Sequence, residues 1–248
     1  MEVHHHSHTE RKKWKHYFWE FFMLFLAVTL GFFVENQREH FVEHQRTKQY
    51  ALSLADDLKK DTSAFNVLKQ SYTRDIIKID EFRNVLKSKP ISKIRGGSLY
   101  YYCEPVIWST AIIFHDATLQ QLKNSGNLRY FPTSLQNKIS EYDRMTRELS
   151  ARQENEIYFS RVSREIMTGI FDSETIISIA GLSPADIGTF KEKDIKLLNR
   201  DTLLLKKLIN EIIFRQGSWQ YRLQQIIEPT NLAAIDLLAD LQKEYHLK

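Results

Sequence analysis

The run Tyr17-Phe18-Trp19-Glu20-Phe21-Phe22-Met23-Leu24-Phe25-Leu26-Ala27-Val28-Thr29-Leu30-Gly31-Phe32-Phe33-Val34 decides how the rest of the chain is read. A helix of about 18 to 20 residues is the shortest that crosses a hydrocarbon core about 30 Å thick, so this run is just long enough to span a membrane once. Its single acid, Glu20, lies near one end, where a carboxylate reaches the interface more cheaply than the bilayer centre. Trp14, Tyr17 and Trp19 cluster at that end, and amphipathic rings prefer the headgroup layer. Glu35 then opens a long charged stretch, which gives the run a sharp boundary.

Two other readings compete. The uninterrupted apolar part, Phe21 to Val34, has a length shared by buried core helices and membrane spans. A basic start before a short apolar run also describes a signal peptide, but Gly31 is followed by Phe32, Phe33, Val34 and Glu35 and not by an A-x-A-like cleavage site. An uncleaved anchor is the better fit. Arg11, Lys12, Lys13 and Lys15 precede the run against only Glu2 and Glu10, and basic residues beside a span stay on the cytoplasmic side. The expected organisation is a cytoplasmic basic and His-rich tail at 1–16, a transmembrane helix at 17–34 and an extracytoplasmic domain at 35–248.

Beyond the span, no Gly or Pro occurs from Glu35 to Lys87. Leu54, Leu58, Phe65, Leu68, Tyr72, Ile76, Ile79, Phe82 and Leu86 recur mostly at intervals of three and four, one face of a helix. This predicts a stalk helix over 35–87, on the order of 80 Å long if unbroken. Its stripe must bury against later helices or, as in a coiled coil, against a second copy. Pro90 and Gly96-Gly97 predict a loop or short hairpin, and residues 99–108 read equally as strand or helix. Further helices are expected from Ser109 to Asn124, stopped by Gly126, and from Thr133 to Gly169, with a stripe of Leu135, Ile139, Tyr142, Leu149, Tyr158 and Val162. Thr175 to Gly188 reads as short helices or loop. A closing pattern runs from Asn199 to Ile227, breaks at Pro229 and resumes from Asn231 to Tyr245.

Composition agrees with a mainly α fold, because strand-rich folds need many turn residues and this chain has 8 glycines and 5 prolines in 248 residues. The net charge of +4 is spread among alternating acids and bases with no basic stripe, so no nucleic-acid partner is expected. Cys103 is the single cysteine and cannot close an intramolecular disulfide.

The most tempting chemical motif is His40-Phe41-Val42-Glu43-His44, an H-x-x-E-H pattern in which histidines four apart share a helix face and can hold zinc while the carboxylate activates water. A solvated face just past the span is the plainer explanation, since a zinc hydrolase needs a cleft and a third ligand. His4, His5, His6 and His8 form a second cluster able to take transition metals. His40, His44, His4, His5 and His6 are therefore weak metal candidates, and no catalytic or cofactor-binding residue is assigned. Asp56, Asp57 and Asp61 read as a solvated helix face, Ser125-Gly126-Asn127 as a helix stop, and Glu20 as an interfacial acid. Aromatic Tyr100 to Trp108, around Glu104, is the best pocket wall, with core packing as its competitor. Phosphate loops, a nucleophile elbow and paired-cysteine metal spacings are missing, so enzyme activity is disfavoured.

His4-His5-His6-Ser7-His8-Thr9, Arg11-Lys12-Lys13-Trp14, His16-Tyr17-Phe18-Trp19-Glu20-Phe21, Met23-Leu24-Phe25-Leu26-Ala27-Val28, Glu35-Asn36-Gln37-Arg38-Glu39-His40 and Lys48-Gln49-Tyr50 together resemble an uncharacterised family of small single-span membrane proteins from Bacteroidota. The likeness covers about the first sixty residues and returns over Thr118 to Arg129. It implies a Gram-negative inner membrane with the large domain in the periplasm, and it brings no activity, cofactor or functional residue.

The sequence thus leads to a membrane-anchored, non-enzymatic interaction or scaffold protein, with the lipid bilayer and either a second copy or another membrane protein as partners. The alternative is an extracytoplasmic ligand-sensing module, which would signal through a membrane partner because the residues before Trp14 are too few for a signalling domain. A metal-dependent hydrolase using the motif at 40–44 is third.

Overall fold

The structure, a computed structural model, describes residues 14–108 and 110–247. Among these the chain is helical and contains no strand. Eight α-helices follow in order: α1 (Trp14–Ser88), α2 (Gly96–Cys103), α3 (Ala117–Ser125), α4 (Thr133–Thr168), α5 (Ser173–Ile179), α6 (Pro184–Glu192), α7 (Thr202–Arg222) and α8 (Glu228–Tyr245). The chain divides into two compact units, residues 1–50 and 51–248.

In the first unit the described residues belong to α1, and each side chain from Trp14 to His40 is exposed. Phe32 is 74% and Leu24 66% accessible, and rings four apart pack along the helix, as Phe18 does on Phe22. This helix contains a segment long and apolar enough to cross a membrane, with none of that window buried. Thr29 turns its hydroxyl back to the Phe25 carbonyl at 2.8 Å, which satisfies its polar group without a partner from outside the helix.

In the second unit the periodic stripe does what its spacing implies. Leu54, Leu58, Phe65, Leu68, Tyr72, Ile79 and Phe82 are all buried, while Ile76 and Leu86 are half-buried. The core is completed by Leu122 of α3, Ile139 and Leu149 of α4, Leu208 and Ile212 of α7, and Leu237 and Leu241 of α8. Burial of each such side chain contributes about 1.5 to 3 kcal/mol before the entropy of ordering is counted. Pro90, with no N–H to donate, stands just beyond the end of α1.

The double glycine does not frame a hairpin. It begins α2, and the reason is contact: a Cβ on Gly96 would run into the Ile195 carbonyl, and one on Gly97 into that of Phe190. The Gly97 N–H donates to the Lys193 carbonyl at 3.0 Å in the space so kept open. Residues 99–103 are accordingly helix and Glu104–Val106 a 3-10 turn, and no strand forms over 99–108.

Two boundaries also differ from expectation. The helix expected from Ser109 begins only at Ala117, because the preceding residues are held out of helix by side chains from elsewhere. Gln153 binds both the N–H and the carbonyl of Ile112, and Asp61 takes the His115 N–H. Pro229 does not break the last pattern. A π-turn over Leu223–Ile227, closed by the Glu228 N–H to the Leu223 carbonyl, widens the helix just before the proline, which enters the first turn of α8. Short helices do form around Thr175 to Gly188, capped by the Asp172 and Ser183 side chains. Gly126 stops α3 in the left-handed conformation, φ 68°.

Candidate functional site

His40 and His44 lie on an exposed stretch of α1, and His40 Nδ1 stands 3.9 Å from Glu43 Oε2. No group of three or more metal-capable side chains forms around them or elsewhere among the described residues. His4, His5, His6 and His8 fall outside the described residues. Glu20 pairs with His16 one turn earlier, at 3.2 Å.

A groove of about 800 Å³ lies in the second unit. One side runs along α1 from Asn66 to Glu81, roughly 22 Å at the helical rise. Lys69, Arg74, Lys78 and Glu81 project from that side, and Ile77 lies among them. Tyr101 and Glu104, from α2 and the 3-10 turn after it, form part of the lining. Ile179, Leu182 and Ile187, from α5, α6 and the link between them, supply an apolar wall. Aromatic residues 100–108 thus divide between the two roles weighed for them: Tyr100, Tyr102, Cys103, Val106 and Ile107 are core, while Tyr101 and Glu104 face the groove.

Lys78 is the most buried charge in the groove, 9% exposed. Its ammonium donates to Glu104 Oε2 at 2.9 Å and sits 3.9 Å from the centre of the Tyr101 ring. Burial holds its pKa below the ordinary lysine value, and the Glu104 carboxylate opposes that shift. Lys191 approaches the same Tyr101 ring at 4.8 Å, and Lys69 reaches Glu228 at 3.5 Å. Neighbouring Asp75, paired with Arg74 at 2.9 Å, has its pKa raised by burial.

Two polar clusters lie deeper. Glu156, Arg215 and Arg222 are all buried. Glu156 accepts from Arg215, from Trp219 Nε1 at 2.8 Å and, at 3.2 Å, from Arg222. Arg215 also donates to the hydroxyls of Ser160 and Ser163 and to the Val106 carbonyl, and Arg222 to the Tyr72 hydroxyl. This network ties α1, α4, α7 and the turn after α2 together, with Arg215 Nε left buried and without a hydrogen-bond partner. The second cluster corrects the reading of the α1 acids. Asp61 is 1% exposed and accepts from the His115 N–H, His115 Nδ1 and, at 2.7 Å, the Tyr142 hydroxyl, while Asp57 accepts from Thr118 at 2.6 Å. Asp56 remains a solvated residue paired with Lys60.

Lys78, Arg74 and the isoleucines of α5 and α6 were not legible as a site. The one available signal was Glu104, a carboxylate in an aromatic tract, which needs a cationic partner if it folds inward. Compared with protein-family models, with curated proteins and with solved structures, the chain matches none of them.

Proposed function

We propose that the protein is a membrane-tethered, non-enzymatic interaction module: residues 17–34 cross the inner membrane, the basic tail stays in the cytoplasm, and the helical domain works in the periplasm with a second copy or a membrane-protein partner. The observation that carries the tether is the exposed apolar window of α1, whose phenylalanines and leucines find no cover in their own chain. An apolar surface of that extent is stable in lipid and costly in water. Interaction is supported by large apolar side chains left exposed on the last two helices, among them Leu203, Phe214 and Leu232. The test is alkaline carbonate extraction of the full chain from membranes. The wild-type chain is expected to stay with the lipid, and the double variant Phe25→Arg with Leu26→Arg to move to the supernatant. Release of the wild-type chain would refute the tether.

A second reading, a ligand-sensing module acting through a membrane partner, is favoured by the groove, whose volume lies in the range of about 300 to 1,000 Å³ typical of small-molecule sites.

A further inference from the structure

Folding gathers a basic surface that the linear order of the chain disperses. Residues 81–98 close α1, pass through the 3-10 turn Ile91–Lys93 and enter α2, and residues 191–207 run from the end of α6 into α7. Arg200 joins the two segments by donating to the Ser92 and Ile94 carbonyls, 108 and 106 positions away, and the Gly97 N–H donates to the Lys193 carbonyl. The first segment carries Arg83, Lys87, Lys89, Lys93 and Arg95; the second carries Lys191, Lys193, Lys196, Arg200, Lys206 and Lys207. Against these 11 bases stand 4 acids, Glu81, Glu192, Asp194 and Asp201. The surplus is 7 in a chain whose net charge is +4, which leaves the remainder at −3. Glu81, Glu192 and Asp194 pair with Lys191, Arg95 and Arg200, and Asp201 caps α7. The seven other lysines have no ion-pair partner among the described residues, and each is exposed.

What meets such a surface is decided by what stands among the charges. Leu198, two residues from both Lys196 and Arg200, is 65% accessible, and Leu203, one helical turn before Lys206 and Lys207, is 78% accessible. A groove of about 580 Å³ lies between the segments, with Leu86, Pro90 and Ile91 on one side and Ile209 and Ile213 of α7 on the other. Lys206 is the one charged group in its lining among the described residues. Bases with exposed leucines between them fit a bilayer with anionic headgroups, where lysines take the phosphates and apolar side chains enter the acyl boundary. Nucleic acid fits less well. The one aromatic residue in either segment, Phe82, is buried and offers no stacking platform, and lysine point charges outnumber the arginine forks that grip fixed phosphates, 8 to 3. We propose that this basic end of the helical domain docks on a phospholipid surface bearing anionic headgroups. The contact is additional to the tether at 17–34 and holds whichever way the chain is inserted.

The test holds the full chain in nanodiscs of zwitterionic phosphatidylcholine and asks which added vesicles carry it in flotation. Vesicles containing about one third phosphatidylglycerol are expected to carry the loaded discs, pure phosphatidylcholine vesicles to leave them behind, and salt at about 0.5 M to release them by screening. Each lysine near an anionic surface is worth about fivefold in affinity. The quadruple variant Lys89→Gln, Lys93→Gln, Lys206→Gln and Lys207→Gln is therefore expected to bind about a hundredfold or more weakly. The double variant Leu198→Ser with Leu203→Ser is expected to lose about tenfold while keeping its salt dependence. All of these side chains are exposed, so both variants are expected to melt with the wild-type chain. Discs left behind by the anionic vesicles would overturn the proposal. Undiminished flotation of the quadruple variant would move the contact elsewhere, the basic tail included, and overturn it as well. A leucine variant as tight as the wild-type chain would mean a contact by charge alone, which favours an acidic partner protein and overturns the lipid surface.

Discussion

Glu156 is one carboxylate facing two buried guanidinium groups, and the domain interior is arranged around that imbalance. Arg215 and Arg222 can be buried only because Glu156, the Ser160 and Ser163 hydroxyls, the Tyr72 hydroxyl and backbone carbonyls receive their terminal N–H groups. Removing the carboxylate leaves two unneutralised charges inside. Glu156→Ala is therefore expected to cost about 3 to 5 kcal/mol in chemical denaturation, and Glu156→Gln, which keeps an acceptor, to cost less. A loss below about 1 kcal/mol for the alanine variant would show that the network contributes little. Cys103 carries a different prediction. Its thiol is buried to 1% exposure, and burial pushes its pKa far above the ordinary 9.0. The unfolded chain then releases the thiol proton at a pH where the folded chain keeps it. The associated stability is complete below pH 9.0 and declines as pH rises beyond it. Between there and pH 10.0, where buried Tyr72 begins to act in the same direction, melting temperature is expected to fall less steeply in Cys103→Ala than in the wild-type chain. Parallel slopes would contradict the assignment. The same burial closes off an intermolecular disulfide in the folded state.

At the scale of elements, what could be read in advance was periodicity, and what could not was contact between distant residues. The α1 stripe from Leu54 to Phe82 announced itself because apolar side chains recur at helical spacing and have one face to bury. Helix α4 followed the same rule from Leu135 to Leu149 and then departed from it. Tyr158, placed in its stripe by pattern, is 62% exposed, since the inward face there is Glu156, Ser160 and Ser163, turned to Arg215. No local pattern marks a polar face as buried when its partner sits 59 positions away. Asp61 was misread for the same reason, its partners being 54 and 81 positions distant. Gly96 and Gly97 looked like a turn because glycine is read first as a source of positive φ, whereas here it is needed for the approach of another backbone. The groove was half legible: Tyr101 and Glu104 stood out as a wall, and Lys78 did not, because a lysine beside an apolar stripe reads as a solvated edge.

At the scale of the whole molecule, a helical unit with its own core and polar interior is joined in sequence to an apolar helical segment that its own chain leaves uncovered. In the function we propose, the apolar segment tethers the chain and the helical domain interacts or senses on the far side of the membrane. In that proposal Arg11, Lys12, Lys13 and Lys15 set the direction, since basic residues beside a span stay on the cytoplasmic side. The most direct test is a reporter enzyme active only outside the cytoplasm, fused after Lys248 and assayed in intact cells. The account predicts an active reporter; a silent reporter on a full-length, membrane-bound fusion would contradict it.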